Sequence, residues 1–328
     1  MSEGSSGARL RFVVVAWGRT DSLDACLAAI EAVGAAGIAT ETVVVLAPGD
    51  GAIAAVERRV TLRLPAAGTA HTPGANRNLG ARGALAPFLA FVDGDAVIDP
   101  AFVAAALARL DAEPALGGVG GRIHERQWED GRLVREIPDA YRSAHGGPVE
   151  MLATAWIARR TAFEAVEGFD PRLPAEEDIE LCIRLADAGH PVVALDQRAA
   201  YHDCPRRPSL AEFRRRWKSG LYAGQGILLR TSWGTPSFAR HLARQWLYLA
   251  ALAFALLGAF FALAALLGAR RGPGAFRDWL FVAVVIVLVM ALRKRSPGDG
   301  ALAVATWVIL GAGIVRAWIL GPRDPAAG

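Results

Sequence analysis

The chain has 328 residues, 53% of them apolar, and a net charge of +4. It is longer than one average domain, and its apolar residues concentrate after about Arg240, which predicts a soluble domain followed by a membrane region. The positive charge is almost entirely arginine and gathers between residues 206 and 244, where it suits anionic membrane lipids. We expect no nucleic-acid partner, because the sequence has no RNA-binding aromatic motif, zinc finger or convincing helix-turn-helix.

The cysteines and the first apolar run indicate the cellular compartment in which the soluble domain lies. Cys26, Cys182 and Cys204 are an odd number, widely spaced and without a C-x-x-C pair, which argues against a disulfide framework or a zinc site. The run at residues 12–17 is too short for the core of a signal peptide and is explained better as a buried strand. We therefore expect the soluble domain to lie in the reducing cytosol.

Strand-like and helix-like patterns alternate through the first hundred residues. Strands are predicted over residues 11–16, 41–46, 60–64 and 88–92, and helices after Thr20, over 75–85 and from Pro100. This alternation predicts an α/β fold with a mainly parallel sheet wrapped by helices. Asp93-Gly94-Asp95 follows the strand 88–92 directly, at the carboxyl end, where open α/β sheets bind ligands.

The following hundred residues are less regular. Residues 119–147 carry many charges with strand-like and turn-like pieces, and we interpret them as an insertion over the site. The patterns further predict a strand over 150–157, a short helix over 159–166, an amphipathic helix over 176–188 ended by Gly189, and a strand over 191–195.

Three apolar stretches follow, at residues 242–268, 279–292 and 301–320. The first and third reach the roughly 20 residues that a membrane helix needs, whereas the second is short. We therefore divide the chain into a soluble domain (1–205), a basic amphipathic interfacial segment (206–241) and a transmembrane region of two to three helices (242–328). The expected location is the inner (plasma) membrane, as a multi-pass protein with its soluble domain in the cytoplasm.

Two carboxylates at the strand end suit a metal site. Asp93 and Asp95 can hold a divalent cation, Mg²⁺ or Mn²⁺, which would neutralise a leaving diphosphate. Gly94 between them would allow a close approach of backbone and phosphate. By themselves the three residues also fit a simple Asp-Gly-Asp turn, and it is their position after a buried strand that favours the metal site.

A second acidic group begins the helix 176–188. Asp178 in its first turn would face the site, with its ionised form stabilised by the helix dipole, and could take the proton of an attacking hydroxyl group. Acidic residues in a first helical turn, with Glu180 paired to Arg184, also have a purely structural explanation. The pattern alone leaves both explanations open.

Five motifs stand in an order that resembles one enzyme family. They are Val13-Val14-Val15-Ala16-Trp17-Gly18-Arg19, Gly74-Ala75-Asn76-Arg77-Asn78-Leu79-Gly80, Phe91-Val92-Asp93-Gly94-Asp95, Gly168-Phe169-Asp170 and Glu177-Asp178-Ile179-Glu180-Leu181-x-x-Arg184-Leu185. This order resembles the inverting family-2 glycosyltransferases of the GT-A fold, whose Rossmann-like domain has a mixed, mainly parallel sheet. The resemblance covers about the first two thirds of the chain and implies a nucleotide-diphosphate sugar as donor.

The resemblance also implies roles for individual residues. The nucleotide pocket would be lined by Ala16, Trp17, Arg77 and Asn78. Asp93 would contact the nucleoside or ribose, Asp95 would bind the metal together with Asp93, and Asp178 would be the catalytic base. His202, after the last predicted strand, would add a contact to the metal or diphosphate, unless it is a surface histidine.

Two motifs depart from the family pattern. Many relatives end the second strand with Asp-Asp-Gly-Ser, whereas this chain has Leu46-Ala47-Pro48-Gly49-Asp50-Gly51 and keeps only Asp50 for recognition of the base. Processive members carry Gln-x-x-Arg-Trp, of which this chain keeps Arg216 and Trp217. Arg216, Trp217 and Glu177 are the expected acceptor contacts. Alternatively, Arg216 and Trp217 belong to a basic amphipathic helix that lies on lipid.

The sequence thus predicts a membrane-anchored, metal-dependent, inverting hexosyltransferase. It would move one sugar to a lipid-linked or membrane-associated hydroxyl acceptor, in the synthesis of cell-envelope or exopolysaccharide glycans. Two alternatives stay open. A haloacid-dehalogenase-type phosphatase would use Asp93 as nucleophile, although the chain has no lysine before Lys218. A membrane adaptor would keep the fold without turnover, which the altered Asp50 loop permits.

Overall fold

The structure, a computed structural model, describes residues 7–16, 20–66, 71–141, 147–206 and 209–321. These residues form two compact units, one ending at Arg206 and one made of the residues beyond it. The first unit is a mixed α/β domain and the second is entirely helical in its regular structure.

The first unit is built on a single ten-stranded sheet. Its strands are β1 (Leu10–Val15), β2 (Thr40–Val45), β3 (Thr61–Arg63), β4 (Phe88–Asp93), β5 (Ala96–Ile98), β6 (Gly118–Glu129), β7 (Arg132–Ile137), β8 (Pro148–Val149), β9 (Ala155–Arg159) and β10 (Val192–Pro205). Their order is β3-β2-β1-β4-β9-β6-β10-β5, with β7 paired to β6 and β8 paired to β10. The first four strands in this order are parallel, and β9 runs antiparallel to both of its neighbours. The mixed sheet predicted from the sequence is therefore confirmed.

Helices cover both faces of this sheet. They are α1 (Thr20–Ala35), α2 (Ile53–Val56), α3 (Pro73–Ala81), α4 (Pro100–Ala112), α5 (Arg160–Ala165) and α6 (Glu177–Asp187). One core joins α1 and α4 to the sheet through residues such as Leu27 and Phe102. The other contains Phe91, Phe163 and Phe169, whose rings meet at centroid distances of 5.1 to 5.7 Å. Every residue of β1 is buried, because it lies between these two cores.

The carboxyl ends of β1 and β4 meet at one edge of the sheet. Val15 pairs with Asp93, and the amide of Gly94 donates a 2.9 Å hydrogen bond to the carbonyl of Val15. A Cβ atom at Gly94 would overlap Ala16. Gly94 therefore allows the backbone after β4 to approach the end of β1 closely, and the approach to a phosphate expected from the sequence stays a prediction.

Several predicted bounds need correction in the second half of this unit. Residues 119–147 are not only an insertion, because β6 is an interior strand of the sheet and only β7 extends it as a hairpin. The strand predicted over 150–157 begins at Ala155, after Thr154 takes a positive φ of 66°. The last strand, β10, continues to Pro205, so His202 lies within it rather than after it.

The second unit begins with short helices. They are α7 (Ser209–Lys218), a 3₁₀ turn (Leu221–Ala223), α8 (Gly224–Thr231) and α9 (Phe238–Arg244). Three long helices follow, α10 (Trp246–Leu266), α11 (Gly272–Lys294) and α12 (Pro297–Leu320). The stretch predicted over 279–292 is therefore too short, because the helix that contains it has 23 residues.

The three long helices have the length and composition to cross a membrane. Their most apolar windows have mean hydropathies of 2.5, 2.3 and 1.8, and only 6%, 6% and 22% of the residues in these windows are buried. Helices this apolar and this exposed suit a lipid environment rather than a soluble core. Small residues bring them together, since Gly311 of α12 lies against the backbone of Tyr248 in α10.

Candidate active site

A buried arginine connects the two acidic motifs. Arg77 of α3 has a side chain only 6% exposed, and its Nη2 donates to Asp93 Oδ1 at 2.8 Å. Its Nη1 donates to Glu177 Oε1 at 2.7 Å and lies 3.4 Å from Asp178 Oδ1. One guanidinium thus joins the end of β4 to the first turn of α6. We call these four residues the Arg77 cluster.

The local sequence of α3 explains how Arg77 comes to this position. Thr72 caps the helix by accepting a hydrogen bond from the amide of Ala75 at 3.2 Å, and Pro73 occupies the first turn. Gly80 packs against the side chain of Val13, so that α3 lies close on β1. The arginine therefore extends from a rigid helix toward the carboxyl edge of the sheet.

Asn78 fixes the Gly168-Phe169-Asp170 turn to the same helix. Its Nδ2 donates to the carbonyl of Phe169 at 2.8 Å, and its Oδ1 accepts from the amide of Phe169 at 2.9 Å. Gly168 has a φ of 71°, which glycine adopts without strain. Both ends of the Asn78 amide, predicted to line the nucleotide pocket, are thus engaged by the protein backbone.

Burial changes the proton affinity of the cluster. It raises the pKa of Asp178 well above the usual carboxyl range; Arg77 opposes this shift, and the charges of Glu177 and Asp93 add to it. Burial also raises the pKa of Asp93, again against the effect of Arg77 and with a contribution from Asp95. For Arg77, burial lowers the pKa, but the acids around it raise the pKa by more, so the guanidinium stays charged.

Asp95 and His202 form a second polar pair beside the cluster. His202 Nε2 lies 3.4 Å from Asp95 Oδ1, and the amide of Asp203 donates to the carbonyl of Asp95 at 2.9 Å. Burial lowers the pKa of His202, but its hydrogen bond to Asp95 and the charges of Asp95 and Asp93 raise it by more, so the net change is upward. The pairing of β10 with β5 thus brings a histidine that is distant in sequence to the predicted metal site.

This pair has the donor set of a cation site that substrate completes. No group of three or more His, Cys, Asp or Glu side chains that could hold a metal occurs in the part of the chain that the structure describes. A carboxylate oxygen and an imidazole nitrogen nevertheless suit Mn²⁺, and such cations often take their other ligands from substrate phosphates and water. His202 Nδ1 is buried without a hydrogen-bond partner among the described residues, a polar atom that a ligand could satisfy. The residues present therefore fit a divalent ion shared with a diphosphate.

Of the remaining predicted site residues, all but Trp17 belong to the part of the chain that the structure describes. Ala16 is 7% exposed at the end of β1, whereas Trp17 lies outside the described residues. Asp50 Oδ1 accepts a 2.9 Å hydrogen bond from the amide of Ala52 in the turn after β2. In the second unit, Arg216 pairs with Glu212 at 2.8 Å and Trp217 is 57% exposed.

Sequence patterns missed two residues beside Asp93. The carbonyl of Thr154 accepts the amide of Asp93 at 2.9 Å, and Thr154 Oγ1 lies 3.1 Å from the hydroxyl of Tyr141. No local motif signals either residue. They come together only because the loop before β9 and the segment after β7 meet in the folded domain.

Known proteins resemble this chain in sequence and in fold. Residues 8–220 match the family described as "Glycosyltransferase like family 2". No curated protein matches the chain at a significant level.

Among the solved structures that share the fold are two glycosyltransferases. The mannosyltransferase PcManGT from Pyrobaculum calidifontis, solved with GDP-Man and Mn²⁺, is 18% identical, with a TM-score of 0.61 over 95% of this chain and 86% of its own. TarS 1-349 from S. aureus, solved with UDP-GlcNAc, is 15% identical, with a TM-score of 0.53 over 88% of this chain and 92% of its own. Both are GT-A-type glycosyltransferases. Because the family match spans well over half of the residues, this chain belongs to glycosyltransferase-like family 2, and its first unit has the mixed α/β fold of GT-A enzymes.

Proposed function

We propose that this protein transfers one sugar from a nucleotide-diphosphate sugar to a hydroxyl group of a lipid-linked or membrane-associated acceptor, with inversion at the anomeric carbon. The product would serve the synthesis of cell-envelope or exopolysaccharide glycans. One observation carries the proposal: a single buried arginine holds Asp178, whose pKa is raised, next to the carboxylates at the end of β4.

Asp178 is the proposed general base. A carboxylate with a raised pKa is a better proton acceptor than one in water, provided that it is ionised at the working pH. Its hydrogen bond to Arg77 fixes one of its oxygens. Asp178 would take the hydroxyl proton as the acceptor oxygen attacks the anomeric carbon, while the diphosphate leaves on the opposite side. Inversion at that carbon follows from this single in-line displacement.

Asp95 and His202 are the proposed ligands of a Mg²⁺ or Mn²⁺ ion. When bound, the ion would supply positive charge to the departing diphosphate. The neighbour PcManGT was solved with Mn²⁺, which is consistent with this assignment. Asp93, whose carboxylate accepts from Arg77, would help to hold the donor at its ribose or metal. Asp50 and the loop after Ala16 would form the remainder of the nucleotide pocket.

Glu177 is proposed to act mainly through Arg77. Its side chain is 9% exposed, and its Oε1 accepts the shortest hydrogen bond of the cluster. Its role next to the acceptor would therefore be to keep Arg77, and with it Asp178, in place. Arg216 and Trp217 are the other proposed acceptor contacts.

We further propose that the protein is a multi-pass protein of the plasma membrane with its first unit in the cytoplasm. The support is the three apolar helices and the basic helix α7, which has Arg214, Arg215, Arg216 and Lys218 in one stretch. Such a helix favours anionic lipid headgroups.

Sugar transfer and donor hydrolysis by the detergent-purified full chain test this function. GDP-mannose, UDP-GlcNAc and other nucleotide sugars would be supplied with and without Mn²⁺, and release of free nucleotide diphosphate would be measured. We expect metal-dependent release from one donor, its loss in Asp95→Ala and Asp178→Asn, and its retention in the control Asp111→Asn on the exposed end of α4. Absence of release and of nucleotide binding across the panel would instead support a non-catalytic adaptor.

A further inference from the structure

We propose that Tyr141 is a specificity residue of the transfer site, whose ring forms the wall against which the sugar of the donor packs, with its hydroxyl group anchored on Thr154. This inference rests on the proposed function, because it assigns the sugar-binding part of the same site.

The first argument is the strained backbone at Thr154. This residue is only 3% exposed and has a φ of 66°, although β-branched residues rarely adopt positive φ. Strain of this kind is retained where surrounding contacts require it, and it clusters at functional sites. At Thr154 the conformation allows its carbonyl to accept the amide of Asp93 while its hydroxyl meets Tyr141. The loop before β9 is further held by Leu152, which fills the space beside Gly120 of β6.

The second argument is the environment of Tyr141. Its hydroxyl lies 3.1 Å from Thr154 Oγ1, yet 38% of the residue is exposed. Burial of the hydroxyl raises the pKa of Tyr141 to about 12, and the charges of Asp93, Asp178 and Glu125 add to this shift. The hydroxyl therefore stays protonated and bonded at neutral pH. The ring is held at its polar end by Thr154, the residue whose carbonyl accepts the amide of Asp93.

The third argument is the geometry of the reaction. In an in-line displacement, the sugar ring lies between the attacking oxygen, near Asp178, and the leaving diphosphate, near Asp93 and Asp95. Tyr141 is connected to this region through Thr154, whose hydroxyl lies 3.1 Å from the Tyr141 hydroxyl and whose carbonyl accepts the amide of Asp93 at 2.9 Å. Apolar C–H faces of sugars pack well on aromatic rings, which combine a large apolar area with few rotatable bonds. The exposed part of this ring is therefore suited to the donor sugar rather than to its nucleotide.

The test compares binding of nucleotide diphosphates with binding of their sugars. Calorimetry with Mn²⁺ on the detergent-purified full chain would use GDP and GDP-mannose, and UDP and UDP-GlcNAc. Tyr141→Ala should weaken binding of the sugar nucleotide by about tenfold relative to wild type. It should leave binding of the parent nucleotide within about twofold, because the nucleotide does not reach the ring. The control is Leu133→Ala, an exposed residue of the neighbouring strand β7, which should change neither.

Conservative variants test the anchor. Tyr141→Phe keeps the ring and should weaken sugar-nucleotide binding by about fivefold, the usual value of one hydrogen bond. Thr154→Val removes the same hydrogen bond and should weaken sugar-nucleotide binding by a similar factor, whereas Thr154→Ser keeps a hydroxyl group and should bind like the wild type. The double variant Tyr141→Phe/Thr154→Val should bind no more weakly than either single variant, because both changes remove one shared hydrogen bond. Equal weakening of nucleotide and sugar nucleotide in Tyr141→Ala, or no weakening of either, would overturn the proposal. If the wild type binds none of these four probes, the same comparison uses the donor that the wider panel identifies, together with its parent nucleotide. Failure to bind any nucleotide sugar of that panel would instead contradict the proposed function itself.

Discussion

Removal of the Arg77 guanidinium should destabilise the first unit in a manner that depends on pH. Arg77→Gln leaves Asp93, Glu177 and Asp178 close together without their shared cation. Loss of one partner from a buried ion pair costs about 3–5 kcal/mol. Asp93 has a side chain that is 28% exposed, so water relieves part of this cost and the lower end of the range applies. For a domain of about this size, we expect a fall in Tm of about 6–12 °C at pH 8.

The sign of the pH dependence follows from the shifts in pKa. Burial already raises the pKa of Asp178 and Asp93, and loss of the arginine removes the charge that held these values down. A carboxyl group with a raised pKa in the folded state weakens the fold once it ionises. The stability of the variant is therefore retained at low pH and lost as the pH rises through the folded pKa. The Tm difference from wild type should be small near pH 5 and large at pH 8.

Thermal unfolding of the detergent-purified chain, followed between pH 5 and 8, measures this effect. The matched control is Arg109→Gln, which breaks an exposed pair with Glu113 and should cost no more than about 1 kcal/mol. A difference in Tm for Arg77→Gln below about 2 °C at pH 8, or one that grows toward acid pH, would refute the electrostatic reasoning.

Two further predictions concern single residues of the site. Asp178→Asn should reduce transfer by about 100-fold or more, because it removes the proposed base, and should preserve donor binding. Its Tm should stay unchanged, since burial penalises the charge that is lost. The matched control Glu177→Gln should lower the Tm instead. The rate of the wild type should rise with pH through a pKa above the usual carboxyl range, because the base must be ionised to accept a proton. A rate that falls as the pH rises through this range would exclude Asp178 as the base. Asn78→Ala removes two hydrogen bonds to the backbone of Phe169 and should cost about 2 kcal/mol in unfolding experiments, whereas an unchanged Tm would show that the turn is held by other contacts.

The elements that the sequence predicted best are those with an uninterrupted local pattern. The buried runs of β1 and β4 and the amphipathic helix α6 begin and end within a few residues of their predicted bounds. The extension of β10 was missed because charged residues interrupt its apolar pattern. In the fold these charges are neutralised by partners distant in sequence: Arg198 pairs with Asp99 at 2.9 Å, and Asp203 pairs with Arg126 at 2.7 Å.

The site itself was only partly visible in the sequence. The order of motifs identified Asp93 and Asp178 as candidates, but no spacing rule connects Arg77 to Glu177, which is 100 residues away. Asn78 and Arg77 stand in the same motif, and the sequence predicted the same role for both, in the nucleotide pocket. In the structure their contacts differ: Asn78 bonds to the backbone of Phe169, whereas Arg77 contacts three carboxylates. The positive φ of Thr154 was equally hidden, since a β-branched residue gives no sign of a left-handed backbone.

The most direct test of the account is the configuration of the sugar that leaves the enzyme. Proton NMR, recorded during donor hydrolysis by the full chain with Mn²⁺, would identify the anomer formed first, before mutarotation mixes the two. We predict the anomer opposite to that of the donor, with its formation lost in Asp178→Asn, because one displacement assisted by one base inverts the carbon. Release of the anomer that matches the donor would contradict the assignment of Asp178 and the single-displacement mechanism together.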